Sequence, residues 1–343
     1  MDPASKLALV AACEAMDEAG LGDRKEHPRM GVIGATSRGP MRKWIEALQR
    51  KQAGKKMLPS LTAHGTVSCQ SGVIAQEVGA RGPSMTLSAT CASAAAAIAY
   101  AAEQIMLGKA DIMLAGGADC GTDPLVIEQM AAAGVLGHHA SHAGLSCRPF
   151  HRDRNGMVLG DGAGFLVLES ARSVRSRGAT ALGVLAGWGA ATGAGGRTGI
   201  EDDGSSLARA MQEALATAGC PPHQIAYINA HGTGTRLNDS GEFAACRQVF
   251  KGLEHPVAIS STKPVTGHCL GATGALEAIL TLRALATGVA PPTPGLDHPD
   301  DAFLAAGGLS LTRAQPAPIT GIYAMSNASG FWSQHASLIF RST

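Results

Sequence analysis

The sequence predicts a layered α/β fold built from a duplicated α/β unit, and three observations carry the prediction. Helical and strand-like patterns alternate from end to end of the chain. Its 343 residues are roughly twice the ~150-residue prior for one domain, and 45% apolar, 4% aromatic and 44 glycine residues suit closely packed strands and helices. The second half repeats the element order of the first, which places the division at 1–170 and 171–343.

The elements follow in order. "ASKLALVAACEAMDEAG" has helical apolar spacing and ends at Gly20, "MGVIGA" reads as a buried strand and "MRKWIEALQRK" as a surface helix. A helix over "VSCQSGVIAQEVG" precedes the strand "PSMTLSA", the alanine-rich helix after Cys91 and the buried strand "ADIMLAGGAD". The second half opens near "GAGFLVLES". It continues with strand "ALGVLAGWGAA", helix "SSLARAMQEALATAG", strand "IAYINA", helix "DSGEFAACRQVF", strand "VAISS" and helix "GALEAILTLRALATG". Strands "ITGIYAMS" and "HASLIF" close it. Between the halves, "GHHASHAGLSCRPFHRDRNGMVLGDG" has no period, and an aperiodic connection of that length is a candidate wall of an active site. Its histidines, His138, His139 and His142, read as a solvated loop face rather than a metal tract, because no carboxylate or cysteine pattern accompanies them.

Composition also excludes classes of function. With 28 Lys plus Arg against 27 Asp plus Glu, the chain carries no electrostatic footprint for nucleic acid or an anionic membrane. No signal-peptide pattern opens it, and its apolar runs read as too short or too interrupted to cross a bilayer, so a cytoplasmic protein is expected. The eight cysteines are scattered without CxxC pairs, which argues against a disulfide framework or a zinc site.

Cys91 stands apart from the other seven. It follows a strand and directly precedes a helix, whose N-terminal N–H groups and partial positive charge favour a thiolate and can hold an oxyanion. Taken alone, the segment fits a small core cysteine equally well. In "INAHGTGTRLNDSGE", His231 leaves a strand end, where open α/β sheets place their ligands, and Gly232 and Gly234 let backbone approach a substrate. "SSTKPVTGHCLGATGALEA" repeats that layout with Lys263 and His268, so two histidines and a lysine on equivalent strand ends can converge on one pocket. "AMSNASGFWSQHASLIF" sets Asn327, Gly330 and Phe331 in a tight turn between two strands.

Together these segments resemble the β-ketoacyl-(acyl carrier protein) synthases of the Cys-His-His class, members of the thiolase-like superfamily. The resemblance runs over nearly the whole chain, through "GPSMTLSATCAS", "GKADIMLAGGAD", "RPFHRDRNGMVLGDGAG", "AHGTGTRLND", "SSTKPVTGHCLGATGALEA" and "SNASGFWSQHASLIF". It implies a thiolase-like α-β-α-β-α layering and a decarboxylative Claisen condensation between a Cys91-bound acyl group and a malonyl thioester. It further implies that His231 and His268 polarise the thioester carbonyl, that Lys263 organises them, and that Glu242 is the carboxylate paired with that lysine. The backbone N–H groups of Cys91 and Phe331 would form the oxyanion hole, Phe331 would gate the acyl pocket, and Thr233 and Thr235 would contact the pantetheine arm. The implied partners are an acyl carrier protein and a second chain in a homodimer or a heterodimer. No metal or resident cofactor is implied, because phosphopantetheine arrives on the carrier.

Three departures from the family pattern carry expectations of their own. Ala89-Thr90 stands where the family commonly has Thr-Ala. Ser329, Trp332 and Ser333 replace a phenylalanine and two glycines around Phe331, which predicts a stiffer or reshaped gate. "MDPASKLAL" matches the middle of the family sequence, so an N-terminally incomplete fold with an open sheet edge is expected. The alternative reading is a catalytically impaired partner subunit of the chain-length-factor kind. The presence of Cys91, His231, His268 and Lys263 together favours the enzyme, and the second histidine in "TGHCLG" argues against the Cys-His-Asn class.

Overall fold

The computed structural model describes residues 1–22, 26–194, 200–304 and 307–343. They form two compact units that interleave along the chain. The first comprises Met1–Cys120, Asp161–Thr180 and Cys269–Leu276, and the second Gly121–Gly160, Ala181–His268 and Glu277–Thr343.

The first unit is built on a four-stranded sheet of β1 (Met30–Ala35), β2 (Ser84–Leu87), β3 (Ile112–Cys120) and β4 (Asp161–Glu169), in the order β2-β1-β3-β4. β1 runs parallel to β2 and β3, and β4 closes the sheet antiparallel to β3. Every residue of β1 is buried, as its unbroken apolar run demands of a central parallel strand covered on both faces. The Pro3–Glu18 helix starts where the sequence signals a start: the Asp2 carboxylate accepts from Ala4 N–H and Pro3 occupies the first turn. Its buried face, Ala4, Ala8, Ala12 and Met16, repeats every four residues and shares a core with Ile74, Leu114 and Phe165. The strand "GAGFLVLES", read from the sequence as the opening of the second half, is β4 of this unit.

In the second unit, β5 (Val184–Thr192), β6 (Ile225–Asn229), β7 (Val257–Ser260), β9 (Leu309–Leu311), β11 (Tyr323–Gly330) and β12 (Gln334–Arg341) form a six-stranded sheet in the order β5-β12-β11-β6-β7-β9. A small ladder pairs β8 (Val289–Ala290) with β10 (Ala317–Pro318). β11, β6, β7 and β9 are parallel, while β12 returns antiparallel between β11 and β5. The C-terminal ends of β6, β7 and β11 therefore lie at one edge, where such sheets hold their ligands. The Ser205–Ala218 helix lies close on β5, because a Cβ at Gly187 would stand 2.5 Å from Ala214 O. Leu207 and Met211 join Phe243, Phe250, Ile228, Met325 and Ile339 in the core.

Four local differences from the sequence reading have physical causes. The helix expected to open near Asp239 begins at Arg236, so that Asp239 falls in its first turn, where a carboxylate complements the helix dipole. β11 begins at Tyr323 rather than Ile319, after Pro318 and Gly321. The Pro124–Ala132 helix escaped the apolar-period reading, although Asp123 caps it and Pro124 sits in its first turn. Leu270–Thr287 has the length and the mean hydropathy, 1.2, of a membrane span, but 61% of it is buried inside the fold.

Asp119 ties the end of β3 to its surroundings in the first unit. It is fully buried and accepts from Thr36 Oγ1 at 2.6 Å, Ser37 N–H at 2.6 Å and Gly271 N–H at 2.7 Å. Burial pushes its pKa up and these hydrogen bonds pull against the shift. Asp119→Ala strips several donors of their acceptor at once, and each buried orphan costs roughly 1–3 kcal/mol. The expected loss in urea denaturation is therefore above about 2 kcal/mol, and a change below about 0.5 kcal/mol would show that the cluster carries no stability.

Candidate active site

The first unit presents Cys91 on a tight turn between β2 and the Ser93–Met106 helix. The residue before it, Thr90, has φ 50°, a left-handed conformation that β-branched residues rarely adopt. Ser93 holds the turn: its Oγ accepts from Ala89 N–H at 2.8 Å and donates to Thr90 O at 2.5 Å. Cys91 is buried, 6% exposed, and the helix that begins two residues later has no side-chain cap. A small core cysteine requires no left-handed neighbour. A strained strand-to-helix turn is a known way to mount a nucleophile.

The second unit assembles the other candidates at the C-terminal edge of its parallel strands. Past β6, His231 and Gly232 donate their N–H groups to Glu242 Oε1 and Oε2, both at 2.8 Å. Gly232 has φ +36°, and a Cβ there would stand 2.6 Å from Ser261 Cβ, so only glycine lets the loop pass. Past β7, Lys263 is completely buried at the head of the short Lys263–Thr266 helix. Its Nζ donates to Glu277 Oε1 at 2.5 Å and to the His231 carbonyl, and lies 3.4 Å from His231 Nδ1. His268 is fixed through its backbone, donating to Val158 O at 2.7 Å and accepting from Gly160 N–H at 3.1 Å. The His231 and His268 rings stand nearly perpendicular, 83°, with centroids 5.3 Å apart.

The electrostatics of this cluster fix its protonation. Burial first, and then the Lys263 charge, holds both imidazoles well below the usual histidine range, so both are neutral at pH 7. An ammonium has protons to donate and nothing to accept with, so the His231 Nδ1 facing Lys263 is the acceptor and its proton sits on Nε2. Burial also pushes Glu242 and Glu277 up to about 7, against the pull of their hydrogen bonds and of Lys263.

One expectation is corrected. The carboxylate that pairs with Lys263 is Glu277, not Glu242, because Glu242 has both oxygens engaged by the His231–Gly232 backbone. Glu277 is the member of this cluster that the sequence reading missed. Its signal was there, as the only acidic residue in the apolar helix Thr273–Thr287. Asp239 supports the same loop, accepting from Gly234 N–H at 3.1 Å and Phe150 N–H at 2.9 Å.

Thr233 and Thr235 join hydroxyl to hydroxyl at 2.9 Å on the loop after His231. Phe331, half-buried, opens the three-residue turn between β11 and β12. The next two residues are both left-handed, Trp332 at φ 64° and Ser333 at φ 51°. His139 and His142 stack at 6.0 Å in an exposed loop, and among the described residues no three His, Cys, Asp or Glu side chains converge as metal ligands.

The two α/β units with their motifs define a thiolase-like condensing enzyme of the acyltransferase class. Residues 1–173 match the β-ketoacyl synthase N-terminal domain and residues 182–297 the β-ketoacyl synthase C-terminal domain. The chain belongs to the β-ketoacyl synthase family. It is 40% identical over 311 residues to nodulation protein E of Rhizobium sp. (strain N33), covering 88% of this chain and 73% of that one. It is 34% identical over 347 residues to 3-oxoacyl-[acyl-carrier-protein] synthase 2 of Vibrio cholerae serotype O1, covering 99% and 83%. A type II polyketide ketosynthase solved in complex with its acyl-carrier protein superposes with a TM-score of 0.91 at 30% identity, over 99% of this chain and 85% of that one.

The depressed imidazoles set a sign for pH dependence. Below the unfolded value of 6.5, unfolded chains take up protons that folded His231 and His268 refuse, so this stability is present above pH 6.5 and is lost as pH falls. The raised carboxylates act oppositely, since folded Glu242 and Glu277 take up protons from about pH 7 downward, before the unfolded chain does. His268→Asn removes one imidazole and leaves the carboxylates. Urea denaturation from about pH 7 to pH 5 is expected to show a shallower acid destabilisation than wild type, by up to about 1.4 kcal/mol per pH unit. An unchanged slope would contradict a neutral, buried imidazole at this position.

Proposed function

We propose that the chain is a β-ketoacyl-(acyl carrier protein) synthase in which Cys91, His231, His268 and Lys263 act in one reaction. In the first half-reaction the Cys91 thiolate attacks the carrier-borne acyl thioester, the bond from the acyl carbon to the pantetheine sulfur breaks, the acyl group passes to Cys91, and the pantetheine thiolate leaves and takes a proton from water. In the second, the malonyl thioester breaks its carbon–carboxylate bond and releases carbon dioxide. The enolate that remains attacks the acyl carbon of Cys91, and the thiolate departs as the β-ketoacyl product forms on the carrier.

The observation that carries this reading is the neutral histidine pair backed by the buried Lys263. A group meant to take a proton would have a pKa near the working pH. His231 and His268 are held far below it, which suits fixed hydrogen-bond donors to an enolate oxygen in a dry pocket. With Lys263 on the Nδ1 side, His231 has only Nε2–H to offer a substrate. Glu277 neutralises the lysine, and Glu242 holds the loop that presents His231.

The N–H groups of Cys91 and Phe331 serve as the oxyanion hole in this reading, with Phe331 as the gate and Thr233 and Thr235 on the pantetheine arm. The nucleophile comes from the half 1–170 and the histidines and lysine from the half 171–343. The partners are an acyl carrier protein and a second homologous chain, identical or not, and the protein works in the cytoplasm. Phosphopantetheine is a covalent part of the incoming substrate, so the chain holds no cofactor of its own.

Intact and peptide mass spectrometry after incubation with acyl-carrier thioesters is the direct test. An acyl mass on Cys91, absent from Cys91→Ala, is the expected result. His268→Ala is expected to keep that acyl mass and to lose condensation with malonyl carrier by about 100-fold or more, the scale of removing one oxyanion donor. No acyl mass on folded wild-type protein would instead favour an impaired partner subunit.

A further inference from the structure

The turn after β11 combines two features that a folded chain usually avoids. Trp332 and Ser333 are consecutive left-handed L-residues, and such conformations cost roughly 1–2 kcal/mol each. Ser333 is compensated: it is fully buried and its carbonyl accepts from Gly193 N–H at 2.9 Å. Trp332 is compensated only in part, because it stays 56% exposed. Glycine would relieve the backbone, so the exposed part of the indole is available to a contact outside the folded chain.

Its position says where. β11 and β6 are parallel with Ser326 opposite Asn229, so Gly330 reaches four residues past that level while His231 lies two residues past it. The turn therefore stands roughly two residues, about 7 Å, beyond His231 on the same edge of the sheet. It is also held still. Gly330 pairs with Gln334 across the hairpin, and beneath them the buried Ser329 Oγ and His335 Nδ1 are hydrogen-bonded at 2.9 Å. A rigid, exposed aromatic on the sheet edge that carries His231 offers contact area at little entropic cost.

We propose that Trp332 is a specificity-determining contact for the pantetheine arm of the incoming thioester, its indole face against the arm's amide planes and geminal methyl groups. The inference rests on the ketosynthase reading above and adds to it a residue outside the family's motif pattern. Pantetheine reaches the site on a carrier protein or on coenzyme A, and truncated N-acetylcysteamine thioesters lack most of the arm.

The test compares KM for acyl-carrier, acyl-coenzyme A and acyl-N-acetylcysteamine donors in wild type, Trp332→Gly, Trp332→Ala and Trp332→Phe. The glycine variant suits the φ of this position, so its folding is not at risk. Trp332→Gly and Trp332→Ala are expected to raise the ratio of KM for either pantetheine donor to KM for the truncated donor about tenfold, with kcat ratios unmoved, and Trp332→Phe to restore it. A rise on the carrier donor alone would assign Trp332 to the carrier protein surface, and an unchanged ratio would show that it acts only by shaping the Phe331 gate. Either result overturns the proposal. Tryptophan emission titrated with coenzyme A gives a readout without turnover: a saturable change in wild type that is lost in Trp332→Phe is expected, and identical titrations would overturn the contact. Acylation of wild-type Cys91 by the truncated donor reports separately on the ketosynthase reading, so the two failures are distinguishable.

Discussion

The buried ammonium of Lys263 is the constraint on which the second unit's chemistry depends. A charge removed from water is tolerated only when it is paired and hydrogen-bonded. Here the carboxylate of Glu277, the carbonyl of His231 and the face of His231 Nδ1 share it. Each partner then acquires a fixed state. Glu277 is drawn toward ionisation against its burial, the His231 carbonyl is locked in position, and the imidazole is barred from protonation. Replacing the lysine by an apolar residue would remove the desolvation cost and also the device that selects the tautomer and orientation of His231.

Among the described residues, left-handed non-glycine conformations occur at Thr90, Phe150, Leu270 and the pair Trp332 and Ser333, and two of these turns adjoin residues of the proposed chemistry. Thr90 is left-handed beside Cys91, and Trp332 and Ser333 are left-handed beside Phe331. A β-branched residue and an indole are poor choices for such positions on backbone grounds alone. The surrounding hydrogen bonds over-determine each turn, through Ser93 in one case and through Ser329, His335 and Gly193 in the other. Consistent local preference over most of the chain leaves enough stability to hold a few residues in costly conformations, and sites of function are where that margin is usually taken up.

Most of the fold was legible because its elements announce themselves. Asp2, Pro3 and the four-residue spacing of buried alanines define the first helix, and the apolar run of β1 identifies a central strand. The interleaving of the two units was not legible, because β4 pairs with β3 across a long intervening segment, and local pattern carries no information on partners. Of the candidate site, the positions of His231, His268 and Lys263 on strand ends could be read from motif and spacing. The pairing of Lys263 could not. Glu242 and Glu277 are both buried acids within reach of one cluster, and only side-chain geometry shows that Glu242 binds backbone N–H groups while Glu277 takes the ammonium. Asp119 escaped notice for a similar reason, since the donors to its carboxylate come from residues 36, 37 and 271.

The two buried glutamates show how the proposed site can hold so many ionisable groups without requiring any of them to act as a base. Glu242 is bound on both oxygens by N–H donors and Glu277 by the ammonium, so for both the anion is the hydrogen-bonded form. Burial opposes ionisation and lifts both toward neutrality, to about 7. Glu277 keeps one buried oxygen, Oε2, without a hydrogen bond, but His231 Nδ1 already faces a donor, the Lys263 ammonium. A proton arriving at His231 would therefore place a second cation beside Lys263 in a low-dielectric pocket. The arrangement holds His231 as a donor through Nε2, which is what stabilising an enolate requires and what proton abstraction would forbid. Decarboxylation needs no base, because departing carbon dioxide leaves its electron pair behind, and the cluster's electrostatics match that economy of proton movement.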